Sequence, residues 1–254
     1  MDGKMRHEVA APGGVWVITC AVLELEVEAM LRDRADVVGV TRLPQGLHNE
    51  PDRLREELQL RIDEAETCAG CGVIVLVYGL CSRGTEGLRT RRCRLVIPRA
   101  HDCITLLLGS KERYAAYVSE HPGTYWYSPG WNAHHVPPGP KRYELLRREY
   151  VEKYGEDNAD FLMEMEQGWF KEYNRATYVH LSIGATDEDR AETRRCADWL
   201  EWTYDEVAGD PGLMEALLSG AWDEERFLVL EPGEAFVMTA DERVIERVKG
   251  EASS

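Results

Sequence analysis

From Gly72 to Leu80 the chain reads GVIVLVYGL, nine residues without a charge. A run this short and this uniformly apolar reads as a strand covered on both faces. Such strands belong to parallel sheets, whose crossover connections lay helices on each side. Three similar runs occur nearby: VWVITC (Val15–Cys20), DVVGVTRL (Asp36–Leu43) and CRLVIP (Cys93–Pro98). Between them, AVLELEVEAMLRD and NEPDRLREELQLRIDEAE have helical character. In the second, Pro51 suits a first turn, acids crowd the N-terminal end, and Leu54, Leu58, Ile62 and Ala65 fall on one stripe. The alternation predicts an α/β fold with a mostly parallel, Rossmann-like sheet in the N-terminal half. CSRGTEGLRTRR, between the third and fourth strands, is read as a loop with at most one helical turn.

The second half continues as α/β with longer helices. GTYWYSPGW reads as a strand and a turn, KRYELLRREYVEKYG and NADFLMEMEQGWFKEYN as helices, and ATYVHLSIG as a strand. DEDRAETRRCADWLEWT is a helix opened by a capping-box pattern at Thr186, PGLMEALLSG a short helix, and RFLVLEPGEAFVM one or two final strands. The expected organisation is a lobe over 1–110 carrying the chemistry and a second α/β half over 111–254 whose helices cover the crevice. No flexible linker decides between two lobes and one extended sheet. The tail past Lys249 is expected to fray.

The formal net charge of −16 argues against a nucleic-acid or anionic-membrane partner, since both reward clustered cations. The first residues lack a signal-peptide shape, and no stretch approaches the roughly 20 apolar residues of a membrane span. The expected location is cytoplasmic. There, the seven cysteines read as thiols or ligands, and an odd number cannot all pair internally.

In open α/β sheets, ligands bind outside the carboxyl ends of the strands. Four consecutive predicted strands each deliver a Cys or His at that edge: Cys20 ends the first, His48 follows the second, Cys81 the third, and His101 with Cys103 the fourth. That convergence predicts a metal site. Zinc accepts thiolate and imidazole, and His101-x-Cys103 with one remote cysteine leaves a fourth position for substrate. Alternatively, Cys20, Cys81 and Cys103 hold three irons of a [4Fe–4S] cluster. Sequence does not separate the two. Cys20 sits where a helix begins, which favours its thiolate.

Ser82, Gly84 and Gly87 form a turn able to offer N–H groups to an anion, and Arg83 and Arg99 are candidates to clamp a carboxylate or phosphate. Tyr127, Trp131, His134 and His135 follow another strand and are candidates to cover the same crevice. Cys68 and Cys71, in CAGCG, precede a strand and so lie at the opposite edge; with Cys93 and Cys196 they read as structural.

YGLCSRGTEGL, LVIPRAHDCITLLLGS and GTYWYSPGW together resemble the uncharacterised prokaryotic family known as domain of unknown function 1638 (DUF1638), as do VITCAVLELE and LPQGLHNEP. The resemblance runs from about Val15 to Met238. It implies the same five residues, Cys20, His48, Cys81, His101 and Cys103, as the site. It also implies company with corrinoid-dependent methyl-transfer systems. His101-x-Cys103 is similar to the zinc motif of thiol methyltransferases related to uroporphyrinogen decarboxylase, although that fold is a barrel. The DxHxxG ligand motif of corrinoid proteins is absent, since Asp102 follows His101.

The expected function is a metal-dependent transferase or lyase with a small-molecule substrate, moving a methyl or sulfur-containing group in a one-carbon context. The alternative is a non-catalytic metal- or cofactor-binding accessory protein of a methyltransferase or corrinoid protein. A third is a purely structural interaction domain.

Overall fold

The apolar runs of the N-terminal half lie side by side as strands. The computed structural model of the protein describes residues 13–248. The tail expected to fray past Lys249 and the polar start before Gly13 lie outside the described residues.

The chain opens with β1 (Gly14–Cys20), a 3-10 turn (Ala21–Leu23), α1 (Glu24–Leu31), β2 (Val37–Leu43) and a second 3-10 turn (Gln45–Asn49). It continues through α2 (Pro51–Ala65), β3 (Cys71–Val77), β4 (Arg94–Pro98), α3 (Cys103–Leu108) and α4 (Lys111–Glu120). The middle holds β5 (Thr124–Tyr127), α5 (Pro129–His134), α6 (Pro140–Tyr154), α7 (Glu156–Gln167), β6 (Arg175–His180), α8 (Asp187–Leu200) and β7 (Thr203–Ala208). The last elements are α9 (Gly212–Ser219), β8 (Phe227–Leu230), β9 (Ala235–Met238) and β10 (Ile245–Val248).

Two compact units result. The first comprises residues up to Lys111 together with those from Asp210 onward; the second is Glu112–Gly209. The chain leaves the first unit after Lys111 and returns to it at Asp210. β8 makes that return. It pairs antiparallel with β4, from Leu95↔Leu230 to Pro98↔Phe227, and α9 packs against β3 and β4 with Leu213, Met214, Leu217 and Leu218 buried. A pairing between strands so far apart in sequence leaves no local signal.

The first unit's sheet has the order β2-β1-β3-β4-β8, with its first four strands parallel. β3 lies at its centre, and Val73 to Val77 are fully covered, as the uncharged run predicts. α2 turns Leu54, Leu58, Ile62 and Ala65 inward. The second unit is a separate parallel sheet, β5-β6-β7, with Tyr127 and Tyr178 in its core. Two sheets in two units, plus the β9-β10 hairpin, replace the option of one extended sheet.

The Thr186 capping box forms as expected: Thr186 Oγ1 accepts the Asp189 N–H at 3.1 Å. Two readings differ. SPGW contains the start of α5, with Pro129 in its first turn and Ser128 capping it. β7 was not anticipated, because TYDEVA carries two acids and pairs on one side only, leaving it half exposed.

Glu26, on α1, is completely buried, and neither carboxylate oxygen has a hydrogen-bond partner among the described residues. Burial raises its pKa from 4.5 to about 7. A carboxyl with a raised native pKa favours folding when protonated, so its contribution is fullest below about pH 4.5. It is lost progressively as pH climbs through 7. At about 1.4 kcal/mol per pH unit, the cost is about 3 kcal/mol above pH 7. Glu26→Gln is therefore expected to raise the melting temperature at pH 8 and to change it little at pH 5. Thermal unfolding of both proteins across that range checks this, and equal gains at both pH values would contradict it.

Candidate functional site

The order β2-β1-β3-β4 reverses direction between β1 and β3, because the chain goes from β1 outward to β2 and then crosses back. The crevice at such a switch point is where ligands bind in open parallel sheets. Cys20 ends β1, Cys81 lies four residues past the end of β3, and Cys103 opens α3 after β4. Neighbouring strands stand about 4.8 Å apart, so three adjacent strand ends span roughly 10 Å.

The loops after β3 and β4 are zipped by their backbones. Leu80 N–H donates to Ala100 O at 2.8 Å and Cys81 N–H to His101 O at 3.0 Å. A Cβ on Gly79 would lie 2.5 Å from Asp102 Cα, so only glycine permits this approach. Asp102 in turn caps α3, its Oδ1 accepting the Thr105 N–H at 3.0 Å. Cys81, Ser82 and Arg83 are three successive non-glycine residues in the left-handed region, with φ of 46°, 54° and 70°. Each costs on the order of 1–2 kcal/mol. Arg55 of α2 helps hold the turn, donating to Arg83 O at 3.0 Å and Glu86 O at 2.9 Å.

Cys20 acts electrostatically on Cys81, and both act on Cys103. Burial pushes Cys20 up, and the N–H groups of Val22 and Ala21 offset this only in part. The helix start at Cys20 therefore does not produce the low-pKa thiolate expected of it. Burial, then the charges of Cys20 and Asp102, push Cys81 up. Burial, then Asp102, Cys81 and Cys20, do the same to Cys103. Cys81 and Cys103 are half-buried, whereas Cys20 is buried. Tyr78, just past β3, faces the Cys20 thiol and is also acted on by Cys81 and Cys103. Its buried hydroxyl reaches hydrogen-bond geometry with no group among the described residues. The cluster is thus three neutral thiols with a buried phenol beside Cys20.

The two histidines stand differently. His48 lies in the turn after the edge strand β2, with Nδ1 2.9 Å from Gln45 O and from Gln45 Nε2. His101 is exposed, and it is its backbone carbonyl that the zipped loops use. Among the described residues, no three His, Cys, Asp or Glu side chains already stand where one metal ion could be held.

The predicted anion-binding residues are largely engaged internally. Arg83 pairs with Glu86 at 2.6 Å. Arg99 donates to Glu224 O at 2.9 Å, to Arg243 O at 3.1 Å and to Ile245 O, tying down the C-terminal segment. Gly84 N–H bonds Cys81 O and Gly87 N–H bonds Phe236 O, while Ser82 is exposed. In the second unit Tyr127 is a core residue, fully buried and donating to Pro138 O. Trp131 packs on Tyr125 and His135, and His134 is exposed on α5.

Tyr78, Asp102 and Arg55 are the participants that sequence reasoning missed. Tyr78 was legible as the one side chain with a polar tip in GVIVLVYGL, and Asp102 as a helix cap three residues before Thr105. Nothing local marks Arg55.

Gly79→Ala should force the two loops apart, costing about 1–3 kcal/mol as overpacking does. The expected readouts are a lower melting temperature and faster labelling of Cys81 and Cys103 by a thiol reagent. Unchanged labelling would mean that the contact does not hold the pocket closed.

No curated protein and no solved structure matches the chain. Among the described residues, no helix is long and apolar enough to cross a membrane. A protein family described as "Protein of unknown function (DUF1638)" matches residues 42–218, more than half of the chain. The match is shorter at both ends than the resemblance from Val15 to Met238, and it leaves Cys20 outside while including Tyr78, Cys81, Asp102 and Cys103. The chain belongs to the DUF1638 family.

Proposed function

We propose that this protein is a metal-dependent enzyme in which the thiols of Cys20, Cys81 and Cys103 hold a zinc ion or a [4Fe–4S] cluster. Its reaction is transfer of a methyl or sulfur-containing group on a small molecule, in a corrinoid or one-carbon setting. The observation that carries this reading is the convergence of three thiols from three adjacent strand ends at the sheet's switch point.

The donor set fits such a group in kind. Thiols are soft ligands that favour zinc and iron–sulfur clusters. The buried Tyr78 hydroxyl, beside Cys20, would donate to a metal-bound thiolate there. Because no three side chains are yet in ligand position, loading requires the thiols to reorient and lose their protons. When bound, zinc lowers the pKa of a substrate thiol, whereas a cluster on three cysteines leaves one iron for substrate.

The protein's own contributions follow from its loops. The Leu80 and Cys81 bonds to Ala100 and His101 fix the spacing of Cys81 and Cys103. Tyr78 places its buried hydroxyl beside Cys20 inside the pocket, and Asp102 is pinned by its capping role. His101 stands exposed beside Cys103 as a polar contact for substrate.

A second reading, an accessory protein that holds the metal without turnover, is favoured by one observation. Arg83 and Arg99, expected to grip a substrate anion, are engaged by Glu86 and by backbone carbonyls.

Protein purified without oxygen is expected to carry about one zinc or one cluster per chain. Elemental analysis distinguishes them, and a brown colour accompanies the cluster. Cys20→Ser, Cys81→Ser and Cys103→Ser should each strip the metal, Tyr78→Phe should weaken retention about tenfold, and Cys68→Ser should do neither. A folded protein that takes up neither zinc nor iron and sulfide on reconstitution would overturn the proposal. Retention without consumption of methyl or thiol donors would select the accessory reading.

A further inference from the structure

The opposite edge of the same sheet carries a second set of thiols. Cys71 opens β3 and Cys93 immediately precedes β4. Both are buried, and their sulfurs lie 3.6 Å apart. That is van der Waals contact, about 1.5 Å longer than a disulfide bond. Cys93 is held there by Glu66, whose carboxylate accepts the N–H groups of Arg91, Arg92 and Cys93. Cys68 is the more exposed thiol. It begins the turn Cys68-Ala69-Gly70-Cys71, closed by Cys71 N–H donating to Cys68 O at 3.1 Å. A turn of this kind keeps its first and fourth Cα atoms within about 7 Å, near the separation that a disulfide spans.

We propose that Cys68, Cys71 and Cys93 form a thiol–disulfide relay that ends in a reversible Cys71–Cys93 disulfide. The oxidant is the disulfide of a low-molecular-weight thiol, RSSR. The Cys68 thiolate attacks RSSR, forming a Cys68–SR mixed disulfide and expelling one RS⁻, which takes a proton. Cys71 then attacks the Cys68 sulfur, releasing the second thiol. Cys93 attacks the Cys71 sulfur in turn, and Cys68 leaves as a free thiol. In sum, Cys71 and Cys93 give up two protons and two electrons, one S–S bond forms between them, and RSSR becomes two RSH. The product staples the start of β3 to the residue before β4. Cys20, Cys81 and Cys103 take no part, so the relay stands independently of the metal proposal.

Burial, with the neighbouring Cys93, raises Cys71 to about 12, and burial raises Cys93 as well. Exchange should therefore be slow at pH 7 and quicken with rising pH, since the thiolate is the attacking species.

The test treats the folded, full-length protein with oxidised glutathione without oxygen, then maps peptides without reduction. The expected product is about 2 Da lighter, has a Cys71–Cys93 linked peptide, and keeps Cys68 open to alkylation. Cys93→Ser should stop at a Cys68–Cys71 link or a glutathione adduct on Cys68, and Cys68→Ser should form the Cys71–Cys93 link more slowly. Glutathione on Cys68 with Cys71 and Cys93 both still alkylatable after unfolding would overturn the proposal. So would a Cys71–Cys93 link that forms equally fast in Cys68→Ser.

Discussion

The candidate site depends on a short stretch of backbone pairing beyond the sheet, where Leu80 and Cys81 donate to Ala100 and His101. β3 and β4 are already adjacent, but their loops would diverge without those bonds and the absence of a side chain at Gly79. The pairing fixes Cys81 and hands the chain to Asp102, which starts α3 with Cys103 in its first turn. Across the switch point β1 contributes Cys20. Local geometry on two loops and global topology at one crevice thus place three thiols that are distant in sequence.

The pocket runs against the usual economy of protein interiors. Three thiols, Tyr78 and the left-handed run from Cys81 to Arg83 occupy one end of the sheet. Left-handed non-glycine residues persist only where surrounding structure over-determines them. Here Arg55, Glu86 and the zipped loops supply that constraint. Burial and the Asp102 charge raise the proton affinity of Cys81 and Cys103, with Cys20 adding to both, so without a cation the pocket holds neutral thiols. That balance gives the proposed metal a distinct electrostatic role, as the positive charge that lets the three ionise together.

The two edges of the first unit's sheet have different chemistry for a topological reason. Parallel strands all start at one edge and end at the other, so CAGC before β3 and Cys93 before β4 meet at the starting edge. The sequence reading placed Cys68 and Cys71 at that edge and Cys93 likewise at the start of its strand, and it read all three as structural without bringing them into contact. The 3.6 Å contact between Cys71 and Cys93 depends on the register of β3 against β4, Val73↔Arg94, which no local pattern announces.

The parallel core, the α2 stripe, the Thr186 cap and the strand-end positions of Cys20, Cys81 and Cys103 were legible because each follows from residues a few positions apart. Burial periodicity, caps and turns are local properties, and a parallel sheet then orders its strand ends on one edge. Only tertiary structure decided that β8 returns to β4, that Tyr127 is core and Arg99 a clamp on the C-terminal segment, and that the His101 carbonyl receives the Cys81 N–H. Those outcomes depend on which distant strands pair and on which carbonyls come within reach of a side chain. Such choices are made by the packing of the whole chain, and no short window of sequence contains them.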